Sequence, residues 1–416
     1  MISYKKNISD NKDLSDNQEN TGDRVDSLPD DDPLKDYIRD LPLEDYKDAA
    51  NQLSGEIYAS VPTALRGQDQ QLRNGLLSRN SRNRLNSLLC KRNPEEYGYA
   101  DPVPQGAFGA GLPGAAETSA YDSAISPECP SGDCSQDLWC PRNDIWMSAG
   151  GTYSSYSSNG NTGRTTVQGP EMAFGIDAAF ENGWGGGAFF RYGDKDMEVK
   201  SRRSKMDIHS YSLGLYGSKT VPAGEGELRF TLGGIYGLHE LQSSRTVRFA
   251  DINESHEADY KAHGYTAFAE AAYAFPLTES LWLEPFVNLA YSGVKTESAR
   301  EDGGETALRV KTGTNEAAES RVGARVSLPV YENLSLDAEL AWQHNFSDTA
   351  KLDMNFTKGG KAYSIKGTSI SSDALSVGVG TEVRFYKSAY FGLSYEGTYG
   401  DSSRHHAGQA TVTIRF

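Results

Sequence analysis

From about residue 143 to the last residue, apolar and polar side chains alternate with a period of two. That period is the signature of a strand with one apolar and one polar face, because successive side chains point to opposite sides. Leu334, Leu336, Ala338, Leu340 and Trp342 stand against Ser335, Asp337, Glu339 and Ala341. Leu375, Val377, Val379, Val383 and Phe385 stand against Ser376, Gly378, Gly380, Glu382 and Arg384. The chain closes with Ala410, Val412, Ile414 and Phe416 against Gln409, Thr411, Thr413 and Arg415. Twelve such segments can be traced, over 143–156, 169–180, 184–193, 206–219, 226–239, 259–275, 281–293, 316–329, 333–346, 373–386, 388–399 and 405–416. Most exceed the roughly 5–6 residues of an ordinary strand. Their length suits a tilted strand that crosses a bilayer.

The connections sort by length. After every second segment the link is tight, as at Glu181-Asn182-Gly183, Tyr331-Glu332 and Tyr386-Lys387. At the other end most links are long and polar, as at 240–258, 294–315 and 347–372. A water-soluble sandwich has no reason to gather its long loops at one end, whereas a membrane barrel has short periplasmic turns and long outer loops. Composition agrees: 43 Gly, 23 Tyr and only 37% hydrophobic residues fit strands with one polar face. No apolar run approaches the roughly 20 residues of a membrane-spanning helix. A net charge of −16 argues against a nucleic-acid partner. One register carries charges of both signs, including Arg191, Arg229, Glu270, Glu284, Arg321, Arg325, Glu339, Glu382, Arg384, Glu396 and Arg415, as a polar lumen does. The opposite register is nearly free of charge. Aromatics such as Phe180, Tyr192, Tyr291, Trp342, Phe385, Tyr399 and Phe416 mark the strand ends, as in the girdles of membrane barrels. Residues 141–416 are therefore expected to form an all-β fold, a twelve-stranded antiparallel transmembrane β-barrel.

Three segments precede it. Residues 1–40 are acidic and poor in apolar groups, which predicts disorder. Residues 41–92 show helical spacing, with Leu53 and Ile57 and then Leu65, Leu72, Leu76, Leu77, Leu85, Leu88 and Leu89. Ser60-Val-Pro62 reads as a helix start, and Gly67 and Gly75 read as breaks. This segment is cationic, with Arg66, Arg73, Arg79, Arg82, Arg84, Lys91 and Arg92, which suits an acidic or polar tunnel. Its arginines are expected to meet Glu270, Glu284, Glu339, Glu382 and Glu396. Residues 93–140 form a Gly, Pro and Ser-rich linker that carries Cys129, Cys134 and Cys140. The Pro-Ser-Gly-Asp turn between Cys129 and Cys134 lets that pair close a disulfide in an oxidising compartment. A metal site would want neighbouring histidines or paired CxxC spacing, and neither is present. Unpaired loop thiols are the third reading.

Leu53-Ser54-Gly55-Glu56-Ile-Tyr-Ala-Ser60, an Arg-bearing helix, a linker, Trp146 opening twelve strands and a terminal Phe416 together resemble the translocator unit of type V autotransporters. The resemblance covers residues 45–416. It implies a barrel in the outer membrane of a Gram-negative bacterium that exports or anchors an N-terminal passenger at the cell surface. It implies that the barrel-assembly machinery reads the last strand at Val412, Ile414 and Phe416. It also implies a linker motif at Leu53, Ser54, Gly55 and Glu56 and a helix threaded through the pore. Its partners are then membrane lipid, the assembly machinery and its own passenger, with no cofactor. Two departures stand out: the first residues lack the apolar stretch of a signal peptide, and little passenger precedes the helix. The chain is thus expected to be a fragment or a truncated product.

A search for chemistry gives no GxSxG, HExxH, P-loop or Rossmann glycine pattern. His405 and His406 near Asp401 are the candidates for a rim protease, and a rim His pair of this kind reads as solvated loop residues. No catalytic or metal residue is assigned. The rival reading is a small outer-membrane pore or a surface adhesin that binds through its long loops.

Overall fold

The computed structural model describes residues 13–92 and 143–416, apart from 181, 279, 280, 332, 348 and 387; side chains of 86–92 are outside the description. Four helices come first: α1 (Asp16–Asp26), α2 (Pro33–Arg39), α3 (Leu43–Leu53) and α4 (Glu56–Arg92). Sixteen strands follow, β1 (Asp144–Tyr156) to β16 (Ser403–Arg415). Twelve of them close an antiparallel barrel in the order β1-β2-β3-β4-β5-β6-β7-β10-β11-β14-β15-β16, with β16 returning to β1. The seam is paired to the chain end: the Phe416 amide donates to the Asn143 carbonyl at 3.0 Å, and the Asn143 amide donates back at 3.1 Å. A barrel closed in this way leaves no strand edge unpaired.

The alternation decides which face is which. Leu213, Leu215, Leu232, Leu340 and Val379 point outward, and Leu215 is 68% exposed. Arg191, Arg229, Glu270, Glu284, Arg321 and Arg325 point inward and are buried. Large apolar side chains on the water-accessible outside and buried charges on the inside invert a soluble protein, and suit a barrel with lipid around it. Tyr211, Tyr236, Tyr291, Trp342 and Tyr399 rim the outer surface toward the long connections. Phe180, Trp184, Phe385, Tyr386 and Phe416 rim it at the short turns.

Three expectations change. The 240–258 stretch is no loop: β5 (Gly226–Phe249) and β6 (Ile252–Pro276) run on as one long hairpin. Beyond the apolar band both faces lack the lipid contrast, so Ser243 and Arg245 point inward where a Leu would have announced a strand. The long connections 294–315 and 347–372 fold as well. They contribute β8 (Ala299–Arg300), β9 (Leu308–Val310), β12 (Lys351–Phe356) and β13 (Gly359–Lys366), which pair as a four-stranded sheet over the mouth.

Third, the acidic segment is ordered over its described residues. Ser15 and Gln18 make a reciprocal capping box for α1, and Asp32 caps α2 with Pro33 in its first turn. Val25, Leu28, Leu34, Ile38, Tyr46 and Leu53 bury against Leu308, Val310, Leu352, Met354, Phe356 and Ile365 of the small sheet. Local composition predicted disorder because the apolar partners lie some three hundred residues away.

Candidate functional site: the occupied lumen

Helix α4 has 37 residues, and at 1.5 Å per residue it extends about 55 Å. It starts at Glu56, ahead of the expected Ser60-Val-Pro62, and Pro62 lies inside it. Gly67 and Gly75 do not break it either. A Cβ on Gly67 would lie 2.7 Å from the Tyr156 hydroxyl, so this glycine permits the close approach of helix to wall. The helix occupies the lumen, and a cavity of about 80 Å³ remains beside it, lined by Gly75, Arg79, Trp146, Gly150 and Glu396 among others. That is space for a few waters.

The helix meets the wall through a ladder of polar contacts. Arg73 pairs with Glu319, and the Asn74 amide donates to Glu396 at 2.9 Å. Ser78 donates to Glu339 at 2.7 Å. Arg79 pairs with Asp177 and lies 3.6 Å from Asp144. Its guanidinium also sits 4.6 Å from the Trp146 ring centroid. Arg82 pairs with Asp337. Ser81 and Arg84 both reach Glu284, at 2.5 and 2.7 Å.

Of the five glutamates expected to receive the helix arginines, only Glu284 does so among the described contacts. The barrel supplies counter-charges for several of the others. Arg325 reaches Glu339 at 2.7 Å, Glu270 at 2.9 Å and Glu284 at 3.2 Å, and Arg321 also pairs with Glu339. Glu382 lies 3.9 Å from Arg415, and Arg384 is half-buried on β14 beside Tyr390. The true partners Asp144, Asp177, Glu319 and Asp337 were missed, although each occupies the same polar register as the glutamates that were picked. Ser78 and Ser81 were missed because serines on a helix carry no signal until a carboxylate faces them.

Leu53, Ser54, Gly55 and Glu56 form the corner between α3 and α4, at the mouth with the long connections. Gly55 has φ +66°, the left-handed conformation that glycine adopts freely. Val412, Ile414 and Phe416 face outward on β16 beside the seam. Cys129 and Cys134 lie outside the described residues. His405 and His406 are adjacent on a strand and therefore point to opposite faces. His405 is buried inside, 2.9 Å from Ser154 Oγ. His406 lies outside among Tyr153, Tyr395 and Tyr399. The two cannot share a substrate, which removes the geometry of a rim protease.

At the folded mouth two carboxyls are held below the usual carboxylate range. Asp16 is lowered by its hydrogen bond from Lys366. Burial pushes Glu254 upward, but bonds from the Thr306 hydroxyl and from the amides of Glu305 and Thr306 outweigh it.

A closed strand cylinder, apolar outside and charged inside, with the chain's own helix threaded along its axis, defines a self-plugged membrane β-barrel. The chain belongs to the autotransporter β-domain family, whose model matches residues 145–396, more than half of its length. It is 28% identical over 294 residues to an extracellular serine protease of Serratia marcescens, covering 67% of this chain and 27% of that protein. It is 26% identical over 244 residues to outer membrane protein A of Rickettsia conorii, covering 55% of this chain and 12% of that one. The chain thus spans about a quarter or less of the length of these relatives. Among solved structures, the translocator domain of autotransporter NalP from Neisseria meningitidis aligns with a TM-score of 0.54 and 18% identity, covering 66% of this chain and 88% of that one. The transport unit of AIDA-I from Escherichia coli aligns with a TM-score of 0.51 and 16% identity, covering 71% and 94%. At that identity the likeness is one of fold.

Proposed function

We propose that this chain is the translocator of a type V exported protein: a barrel inserted in the outer membrane that carries and anchors, at the cell surface, whatever stands upstream of α4. The observation that supports this most is the path of α4. Its first residue lies among the long connections, and Arg84 near its other end reaches the Glu227 carbonyl beside a short turn. The two ends of α4 therefore lie at opposite mouths, as they must if the upstream part has crossed. In this reading the long connections face outward, the short turns face the periplasm, and lipid covers the outer apolar band. Val412, Ile414 and Phe416 then offer the assembly machinery an apolar strand face before the seam with β1 closes. Cys129 and Cys134 are proposed to close their disulfide in the oxidising periplasm.

The test is a tag placed upstream of residue 13 in cells given an export signal. Antibody or protease added to intact cells should reach the tag, and deletion of Phe416 should abolish its surface appearance. A tag that is inaccessible in intact cells but accessible after permeabilisation would overturn the reading.

A further inference from the structure

Among the described residues, four of the six outward connections and the outer arm of β5 make contact with one short piece of chain, residues 52–60. From the β1–β2 connection, the Gly163 amide donates to Glu56 at 2.6 Å. From the β3–β4 turn, Arg202 donates to the same carboxylate at 2.9 Å. From the outer arm of β5, Arg245 donates to the Gln52 carbonyl at 2.9 Å, and the Arg248 amide donates to the Gln52 side chain at 2.7 Å. From the β7–β10 connection, Glu301 accepts from Tyr58 at 2.9 Å. From the β11–β14 connection, Tyr363 donates to the Leu53 carbonyl at 3.2 Å, and the Thr368 amide donates to Ser60 at 2.9 Å.

These contacts are not interchangeable with a slipped chain. A Cβ on Gly55 would lie 2.5 Å from Leu308 Cδ1 and 2.8 Å from Met354 Sδ, so two connections close directly over a position without a side chain. A slip by one residue brings Ser54 or Glu56 to that position. It also takes the Glu56 carboxylate from Arg202, and the lumenal ladder from Arg73 to Arg84 loses register at the same time. The connections in turn depend on the corner. Arg202 is nearly buried and pairs its charge with Glu56 of the corner, and a buried charge without its partner is costly; Arg245 pairs with Glu301 and adds the Gln52 carbonyl.

We infer that residues 52–60 are a latch: their arrival at the outer mouth gathers the four connections and the outer arm of β5 into one closed lid and fixes the register at which the chain stops. The β12–β13 hairpin, so placed, is the platform for α1. Asn17 on that helix donates to the Lys366 carbonyl at 2.8 Å and accepts from its amide at 2.9 Å. This inference rests on the translocator reading for the word arrival. The closure itself can be measured on the purified chain.

The experiment is hydrogen–deuterium exchange on the full chain in detergent, for wild type, Gly55→Val, Glu56→Arg, and Glu56→Arg combined with Arg202→Glu. Heat-modifiable gel mobility confirms that each barrel is formed. Both single variants should raise exchange at least tenfold in 200–203, 299–310 and 351–366 together, with the seam between β1 and β16 unchanged. The double variant should restore most of the protection. Protection retained in the single variants, or a loss confined to the chain beside residue 55, would overturn the latch. The double variant decides the matter if Gly55→Val fails to form a barrel: a charge swap that opens the lid as widely as Glu56→Arg alone also overturns it. A tag that never reaches the surface, with the exchange pattern as expected, would instead defeat the translocator reading and leave the closure standing.

Discussion

On β14, Val379 is half exposed on the outer wall while Glu382, three residues on, is 4% exposed inside. The odd spacing places them on opposite faces, and the solvent of each face sets what a substitution costs. Val379→Arg puts a charge into hydrocarbon, at about 2–4 kcal/mol near the bilayer midplane. Its folded, heat-modifiable band should fall well below that of Val379→Leu. Wild-type assembly would refute the lipid-facing assignment. On the inner face, Glu339→Gln removes the charge that Arg321 and Arg325 share. The alternation placed Glu339 on the lumen register. In the packed interior, breaking such a contact costs about 3–5 kcal/mol. Urea titration of the folded band should show that loss, and an unchanged midpoint would mean that the interior is wet.

At the scale of elements, the helices before α4 show what propensity can and cannot say. The Ser15–Gln18 capping box and the Asp32-Pro33 start fix where α1 and α2 begin, although the composition of 1–40 reads as disorder. Whether those helices persist depends on burial against β12 and β13. Replacing 351–366 by a short Gly-Ser link should therefore make 13–53 sensitive to protease while the barrel keeps its heat-modifiable mobility. Continued resistance would show that α1–α3 fold by themselves.

The folded mouth has a pH dependence at two contacts, α1 with β13 and β6 with the β7–β10 connection. Asp16 and Glu254 have lowered pKa values in the fold, so their contributions are fully present above the ordinary carboxylate pKa. They are lost as pH falls through the lowered values. Amide exchange at 305–306 and 364–366 should thus rise as pH is taken below about 4.5, after correction for the intrinsic rate. Exchange that slows on acidification would reverse the sign.

At the scale of the molecule, wall and plug are separable. Arg325 with Glu270, Glu284 and Glu339 ties β6, β7, β10 and β11 together through side chains of the wall itself, although Ser78, Ser81 and Arg84 of α4 also reach two of these carboxylates. Residues 143–416 should then hold their barrel when 13–92 are removed. Planar-bilayer conductance should be small for the full chain and several-fold larger and steadier for 143–416. Equal conductance would place the helix outside the lumen.

The alternation by itself determined the twelve barrel strands and their two faces, because a period of two sends successive side chains to opposite sides, while the pairing register came from the structure. It also exposed the cationic helix as a candidate for a polar lumen. Tertiary structure decided the rest. Which carboxylate each arginine meets depends on the rotation of α4 within the barrel, and no local pattern encodes that angle. Gly55 stands in the sequence only as part of the Leu53–Glu56 motif and in the structure as the point where Leu308 and Met354 close in. The order of residues 16–53 likewise comes from apolar partners supplied by distant connections. Contacts between residues far apart in sequence leave no periodic trace in either segment, so only the folded chain could reveal them.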